Sequence, residues 1–530
     1  MNRSWLYALI LVSLVILPLS PAVSQRQITI DDIWTKGTFR TKGVPGFRFM
    51  NDGRHYTTLE NNYILKYDLT TGNLTDTLLD VNLLNLPGED KQIEDYTFSD
   101  DEAQLLLTAG SEAIYRHSTK EWTYVYDNTT RKVAGLNEKG KQMHATFSPD
   151  GKKVGFVMDN NMYYKDLASG KITQVTTDGK WNHIINGSCD WVYEEEFSFT
   201  KAFAWSPDNR YIAYYRFDES AVKEFTMTNY TGELYPENVT FKYPKVGMEN
   251  SKVSIHIFDT KTKKKVDVDR TSDPDGYIPR IKWTNDPSKL CVFWMNRHQN
   301  HLELLIANSV SGKTTKLLQE ENKYYIDIHD NLTFLQDGQG FIWTSEQDGF
   351  NHIYLYDMSG SLKKQITTGN WEVTSFYGVD EKNKAIYYQS ASASPMEREI
   401  FSVGLDGVTK KQLHVDKGMN TAQFSTTFDL FVLNHSTINS APTYTVYDRK
   451  GKVVRVLENN EGVKAQQDEA GAQPVEFFNF TTSEGVDLNG YMIKPANFDA
   501  TKKYPVFMTL YGGPGSQEVL DGWMGADYWW

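Results

Sequence analysis

A chain of 530 residues is too long for a single compact core and implies more than one domain. Its hydrophobic share of 40% and charged share of 23% are those of an ordinary globular protein. A formal net charge of −13, with no long basic run to offset it, argues against nucleic acid or an anionic membrane surface as the main partner.

The first residues read as a secretory signal peptide over 1–24. Arg3 supplies the positive start, residues 5–17 form a short apolar run, and Ala22-Val23-Ser24 offers small residues for cleavage. The run is short for a membrane span of about 20 residues. The expectation is therefore a secreted or periplasmic protein of Gram-negative type. The alternative is an anchor formed by an uncleaved N-terminal segment. Residues 25–48 are expected to pack on a later domain.

From residue 49 a unit recurs. An aromatic opens a polar turn with Asp: "FMNDG" at 49, "FSDDE" at 98, "FSPDG" at 147, "WSPDN" at 205, "WTNDP" at 283 and "FLQDG" at 334. Weaker copies follow at 377 and 424. After each turn comes an alternating strand, then a strand ending in an Asp or Asn turn, then a closing strand. Two-residue alternation marks half-buried strands, for which 31 Tyr, 27 Phe and 13 Trp are well suited. Such a period predicts an eight-bladed β-propeller over 49–473, because one blade cannot cover both its faces and must stack on neighbours. The interval between the fourth and fifth units is too long, and its surplus near 217–250 predicts an extra hairpin arm. Cys189 and Cys291 are the only cysteines; they could pair, but two buried free thiols fit a chain that is not built on disulfides. The Asn-x-Ser/Thr sequons, as at Asn128 and Asn229, carry weight only in a eukaryotic host.

The polar stretch "NNEGVKAQQDEAGAQP" reads as a linker. Beyond residue 474 two hydrophobic strands precede "KYPVFMTLYGGPG", an apolar strand running into a Gly-rich turn, as at the strand ends of α/β folds.

Within the propeller, "CDWVYEEEFSF" sets Glu194, Glu195 and Glu196 side by side among aromatics. Like charges in sequence gain nothing from one another. Either they form a solvated acidic turn or something positive comes to them. Taken with "WSPDNRYIAYYRFD", "IYRHS" at 114–118 and "YPVFMTLYGGPGSQ", this segment resembles the dipeptidyl peptidase IV group of the prolyl oligopeptidase superfamily. The resemblance runs over nearly the whole chain after the signal peptide. Its glutamate motif is highly specific, whereas "YGGPG" is shared across the superfamily.

The resemblance implies a mainly β chain: an eight-bladed β-propeller followed by the start of an α/β-hydrolase domain at 474–530. It implies a serine exopeptidase that releases dipeptides from free N-termini, with Pro or Ala second, without cofactor or metal. Glu195 and Glu196 would hold the substrate ammonium by charge-assisted hydrogen bonds, with Glu194 a structural neighbour. Arg116 would hold the carbonyl of the first residue, Phe350 would wall the pocket, and Tyr511 would donate to the tetrahedral oxyanion. His117 is read as structural. Peptides with a free N-terminus and a second copy of the chain are the implied partners, the arm contributing to the homodimer. No Gly-x-Ser-x-Gly elbow occurs, and Ser516 in "GGPGS" lacks its flanks. The resemblance places the Ser, Asp and His of the triad beyond residue 530, so the chain as given is expected to capture peptides without cleaving them. A secreted propeller that binds peptides or glycans is the alternative. A tripeptidyl relative should lack the paired glutamates.

Overall fold

Each aromatic–polar turn of the sequence ends the first strand of an antiparallel sheet and feeds its second. In the turns at 99, 148 and 206, the Ser hydroxyl donates to the Asp two residues on, at 2.6, 2.7 and 2.6 Å. The same hydroxyls accept from the backbone N–H of Gln104, Lys153 and Tyr211 at 3.0, 3.0 and 2.8 Å. The motif thus satisfies its own backbone while reversing the chain. The outer turn is built likewise: Asp127 accepts from the N–H of Thr129 and Thr130 at 2.9 and 2.7 Å.

The computed structural model describes residues 28–525 other than 45, 85, 87–91, 233, 270–274 and 514. The expected signal peptide at 1–24 lies outside the described residues. Eight sheets follow one another, spanning residues 48–80, 95–135, 143–174, 184–267, 281–321, 333–365, 373–412 and 419–458. They are the eight blades of a β-propeller. Seven have four strands, and the fourth has five, because Ile184–Asn186 and Phe203–Trp205 both pair with Tyr211–Asp218. The core lies in the seams between blades. Tyr215 and Phe217 of the fourth pack with Leu290, Val292 and Leu305 of the fifth.

Among the described residues, no strand crosses from the last sheet to the first. That seam is closed by Phe47, Tyr56 and Leu69 against Val432 and Val446. Side chains add to it: Gln423 Nε2 donates to the Phe47 carbonyl at 3.0 Å, and Thr426 Oγ1 to the Met50 carbonyl at 2.8 Å.

The surplus between the fourth and fifth blades forms a separate two-stranded hairpin, Glu224–Asn229 with Glu237–Lys242. Its ends meet, since the Tyr243 N–H donates to the Lys223 carbonyl at 2.9 Å. Cys189 and Cys291 are free and buried. No described helix is long and apolar enough to cross a membrane.

After the propeller two local expectations are corrected. The stretch read as a linker holds a ten-residue helix, Glu461–Ala470, ended by Gly471 at φ +62°. It is stable as a helix because Val463 and Ala470, two turns apart, turn inward, and Ala470 meets Phe39 of the N-terminal segment. A hairpin then pairs Val475–Thr481 with Asp487–Ile493. The apolar run 504–511 forms no strand. No described strand pairs with it, and its Val506, Phe507 and Tyr511 are exposed. Hydrophobic alternation cannot make a strand without a neighbour to take its backbone hydrogen bonds.

Candidate functional site

The three glutamates lie on one short helix, Trp191–Glu196. Asp190 caps its start, its carboxylate accepting from the Tyr193 N–H at 3.0 Å. Ser251 Oγ donates to the other oxygen of Asp190 at 2.5 Å. Burial pushes the Asp190 carboxyl up, while these two hydrogen bonds oppose the rise. Asp190 was missed in the sequence, although an Asp just before a short run of helix formers is a readable helix start.

The aromatics of the segment hold this helix to the blade seam. Tyr193 and Phe197 are buried with rings 4.9 Å apart, and Tyr193 also packs edge-on to Phe217. The Tyr193 hydroxyl accepts from the Ile278 N–H at 2.9 Å. Arg280 donates to the Phe197 carbonyl at 2.7 Å. Trp191 meets Tyr243, at the foot of the arm, with ring centroids 4.4 Å apart.

Neighbouring carboxylates on one helix turn point in different directions, and the three divide accordingly. Glu194 is buried, and its Oε1 accepts from the N–H groups of His117 and Ser118 at 2.6 and 3.2 Å. It ties the loop carrying Arg116 to the glutamate helix. Glu195 is half-buried, and its Oε1 lies 3.3 Å from Arg116 Nε. Glu196 is exposed. It lies near Tyr325, whose phenol is pushed up by burial first and by Asp327 and Glu196 after it. Arg116 is the sole cation paired with the triplet among the described residues, and its side chain is 72% exposed. The pair leaves the second carboxylate, Glu196, without a paired cation. That surplus suits an incoming ammonium.

Beside this pair opens a cavity of about 1100 Å³. Glu195 and Arg116 edge it, with Tyr115, Trp181 and Trp191, and the arm covers it with Met227, Val239 and Phe241. Tyr115 packs on Trp181 and on Phe241, with centroids 6.4 and 6.1 Å apart. Its phenol is pushed up by burial and by the charges of Glu219, Asp190 and Glu194. Of these cavity aromatics, Trp191 and Tyr115 lie in the motifs singled out in the sequence, whereas Trp181 and the arm's Phe241 come from other segments and carried no local signal.

Phe350 sits in the turn between two strands of the sixth blade, half-buried, its N–H on Asp348 Oδ1 at 3.3 Å. It does not line this cavity, and neither does Glu196. Tyr511 is 65% exposed on the unpaired run after the terminal hairpin, away from the cavity wall. The structure therefore brings Arg116 and Glu195 into contact and leaves Phe350 and Tyr511 outside that contact.

Comparison with known proteins places this geometry. Residues 99–442 match the family model for the dipeptidyl peptidase IV N-terminal region. The dipeptidyl peptidase 4 of Trichophyton equinum is 29% identical over 453 residues, covering 82% of this chain and 58% of that protein. That of Trichophyton rubrum is 28% identical over 496 residues, covering 90% and 63%. The crystal structure of Porphyromonas gingivalis dipeptidyl peptidase 4 superposes with a TM-score of 0.90 at 38% identity, covering 95% of this chain and 72% of that one. The chain thus spans about 58–63% of the length of these curated relatives.

Proposed function

From the premise that the chain belongs to the dipeptidyl peptidase IV family, we propose that it is the substrate-capturing part of a secreted or periplasmic serine exopeptidase that removes dipeptides from free N-termini. Glu195 and Glu196 receive the ammonium, and Arg116, held beside Glu195, receives the carbonyl of the first residue. A blocked amine has no charge to offer these carboxylates, which makes the activity an exopeptidase one. Pro or Ala is the preferred second residue, and Phe350, which lies outside the arm cavity, walls a separate part of the substrate pocket. Tyr511 is the oxyanion donor of the complete protein, where the apolar run it sits on gains neighbouring strands. The arm contributes to a homodimer.

The observation that carries this reading is the Arg116–Glu195 contact at 3.3 Å, held in place by Glu194 across 77 residues of sequence. Calorimetric titration of this chain with a free tripeptide such as Ala-Pro-Gly, and with its N-acetyl form, tests it. Glu195→Gln and Glu196→Gln should each weaken binding of the free peptide by about 2–5 kcal/mol at most, the cost of truncating a charge pair that the bound peptide buries. The acetylated peptide should bind weakly to parent and variants alike. In the complete protein part of the loss should appear in kcat, because the anchored amine sets where the scissile bond lies. Equal affinity for the two peptides would sink the amine-anchor reading.

A further inference from the structure

Arg116 stands at the tip of a hairpin that outgrows its blade. The first strand of the second blade, Asp95–Phe98, pairs no farther along than Thr108. Beyond that point Gln104–Ala113 and Thr119–Asp127 continue as a pair, and a two-stranded ribbon by itself is marginal in water. The ribbon also bends. Ala109 faces Trp122 and Glu112 faces Lys120, so the first strand carries one extra residue there, and Gly110 takes a left-handed φ of +61°. A bulge of this kind re-aims whatever lies past it. The bend is gripped from both sides. Glu94 accepts from the Ser111 N–H at 3.1 Å and from the Ser111 hydroxyl. From the segment leading into the third blade, Lys141 Nζ donates to the Gly110 carbonyl at 2.5 Å and to Glu112 Oε1 at 2.6 Å. Lys120 meets the other oxygen of Glu112 at 2.9 Å. Paired backbone hydrogen bonds between Glu121 and Gln142, at 2.9 and 2.8 Å, carry Lys141 to that place.

We propose that Lys141 is a positioning residue for Arg116: by clamping the bulge to Glu112 it sets the angle at which the hairpin presents the guanidinium to the peptide carbonyl. This rests on the reading above, in which the glutamates take the amine and Arg116 the first carbonyl. The Arg116 side chain is largely exposed, so its backbone does most to place it. Glu194 pins the tip at one place, through the His117 and Ser118 N–H groups. One pin leaves a ribbon free to swing about it; a second, at the bend, fixes its angle. A strand rises about 3.3 Å per residue, so Arg116 stands roughly 10–15 Å past the bend, and a swing of about 5° there shifts it by about 1 Å. A shift of that size takes a donor out of hydrogen-bond range. The carboxylates do not ride on this ribbon. Glu195 and Glu196 belong to the helix Trp191–Glu196, which Asp190 and the Tyr193 hydroxyl hold separately. Loss of Lys141 therefore divides the anchor: the ammonium end stays in place and the carbonyl end loosens.

The test is calorimetric titration of this chain with three ligands: Ala-Pro-Gly, its N-acetyl form, and an isostere with an alkene in place of the first amide. The alkene keeps the ammonium and the shape of the peptide and has no carbonyl. The parent should bind the amide about tenfold or more tighter than the alkene, the worth of one hydrogen bond to a charged donor. Lys141→Met should lose most of that ratio while binding the alkene as the parent does. Lys141→Arg, which keeps a charged donor, should restore most of it. Glu112→Gln, a milder change in the same clamp, should lower the ratio in the same direction, and it decides the matter if Lys141→Met melts early. A ratio unchanged in Lys141→Met and Glu112→Gln overturns the proposal, as does an equal loss for amide and alkene, which is what a merely structural role would give. If acetylated and free Ala-Pro-Gly bind alike, the amine anchor has failed and the proposal falls with it. If the parent binds amide and alkene alike, Arg116 does not hold the carbonyl, and the proposal falls with that assignment. If acetylation abolishes binding while the Lys141 and Glu112 variants keep the parental ratio, only the assignment of Lys141 has failed.

Discussion

Glu194 shows how a residue can be indispensable to a site without meeting its ligand. Its Oε1 takes two backbone N–H groups of the Arg116 loop. Glu194→Ala would leave the Ser118 donor buried without a partner and release the half-covered His117 donor, at roughly 1–3 kcal/mol. The expected result is a lower melting temperature together with faster hydrogen exchange at His117 and Ser118; exchange there at the parental rate would count against the tether. Glu219, at the base of the arm, supplies a pH dependence. Burial, aided by the charge of Asp190 and opposed by Lys242, pushes its carboxyl up to about 7 from an ordinary value of 4.5. Between those values the unfolded chain has released a proton that the folded chain still holds. Stability therefore falls as pH rises through that window, by about 1.4 kcal/mol per unit, and is fully present below it. Glu219→Gln has no such proton to release. The gap in melting temperature between variant and parent should widen in favour of the variant from pH 4.5 to 7 and then stay constant. A gap of the same size at both ends would show that Glu219 does not titrate in this way.

At the scale of elements, the arm is the clearest separable piece. Its ends are joined by a backbone hydrogen bond, so residues 224–242 can be replaced by a short Gly-Ser turn without straining the fourth blade. The shortened chain should keep a cooperative melt. In the complete protein it should sediment nearer the monomer, and an unchanged dimer would remove the arm from the interface. The helix Glu461–Ala470 and the run 504–511 carry the opposite lesson. The first is polar along most of its length and is fixed by two inward residues. The second is strongly apolar and yet unpaired. Composition described each segment correctly and misjudged both conformations, because burial of one face and the presence of a neighbouring strand are not local properties.

For the whole molecule, closure of the ring is the weak point. Seven seams join blades that follow one another in the chain, whereas the eighth joins residues about 380 apart with no shared strand. Asn460 reinforces it. Its side chain accepts from the Lys42 N–H at 2.8 Å and donates to the carbonyls of Lys42 and Pro442 at 2.9 and 2.8 Å. It does so from a left-handed backbone, φ +52°, which Asn tolerates better than most residues. Asn460→Ala would lose these bonds and strain the backbone, at about 1–3 kcal/mol. Exchange should quicken first in the first and last blades and hardly at all in the fourth and fifth. Uniform quickening around the ring would mean that it opens as one unit rather than at this seam.

The sequence by itself determined the blades and their number, the position of the extra hairpin, and which acidic cluster was worth attention. These are short-range facts. A blade's strands are neighbours in the chain, its turns are closed by Ser and Asp a few residues apart, and the glutamates are adjacent. Only the tertiary structure decided that Glu194 faces inward while Glu195 meets Arg116, and that Trp181, Tyr115 and the arm enclose one cavity beside them. It alone placed Phe350 and Tyr511 outside that contact. The reason is geometric: each of these relations joins segments brought together by the stacking of different blades, and the spacing of residues within one segment does not encode which side chains of another it will meet.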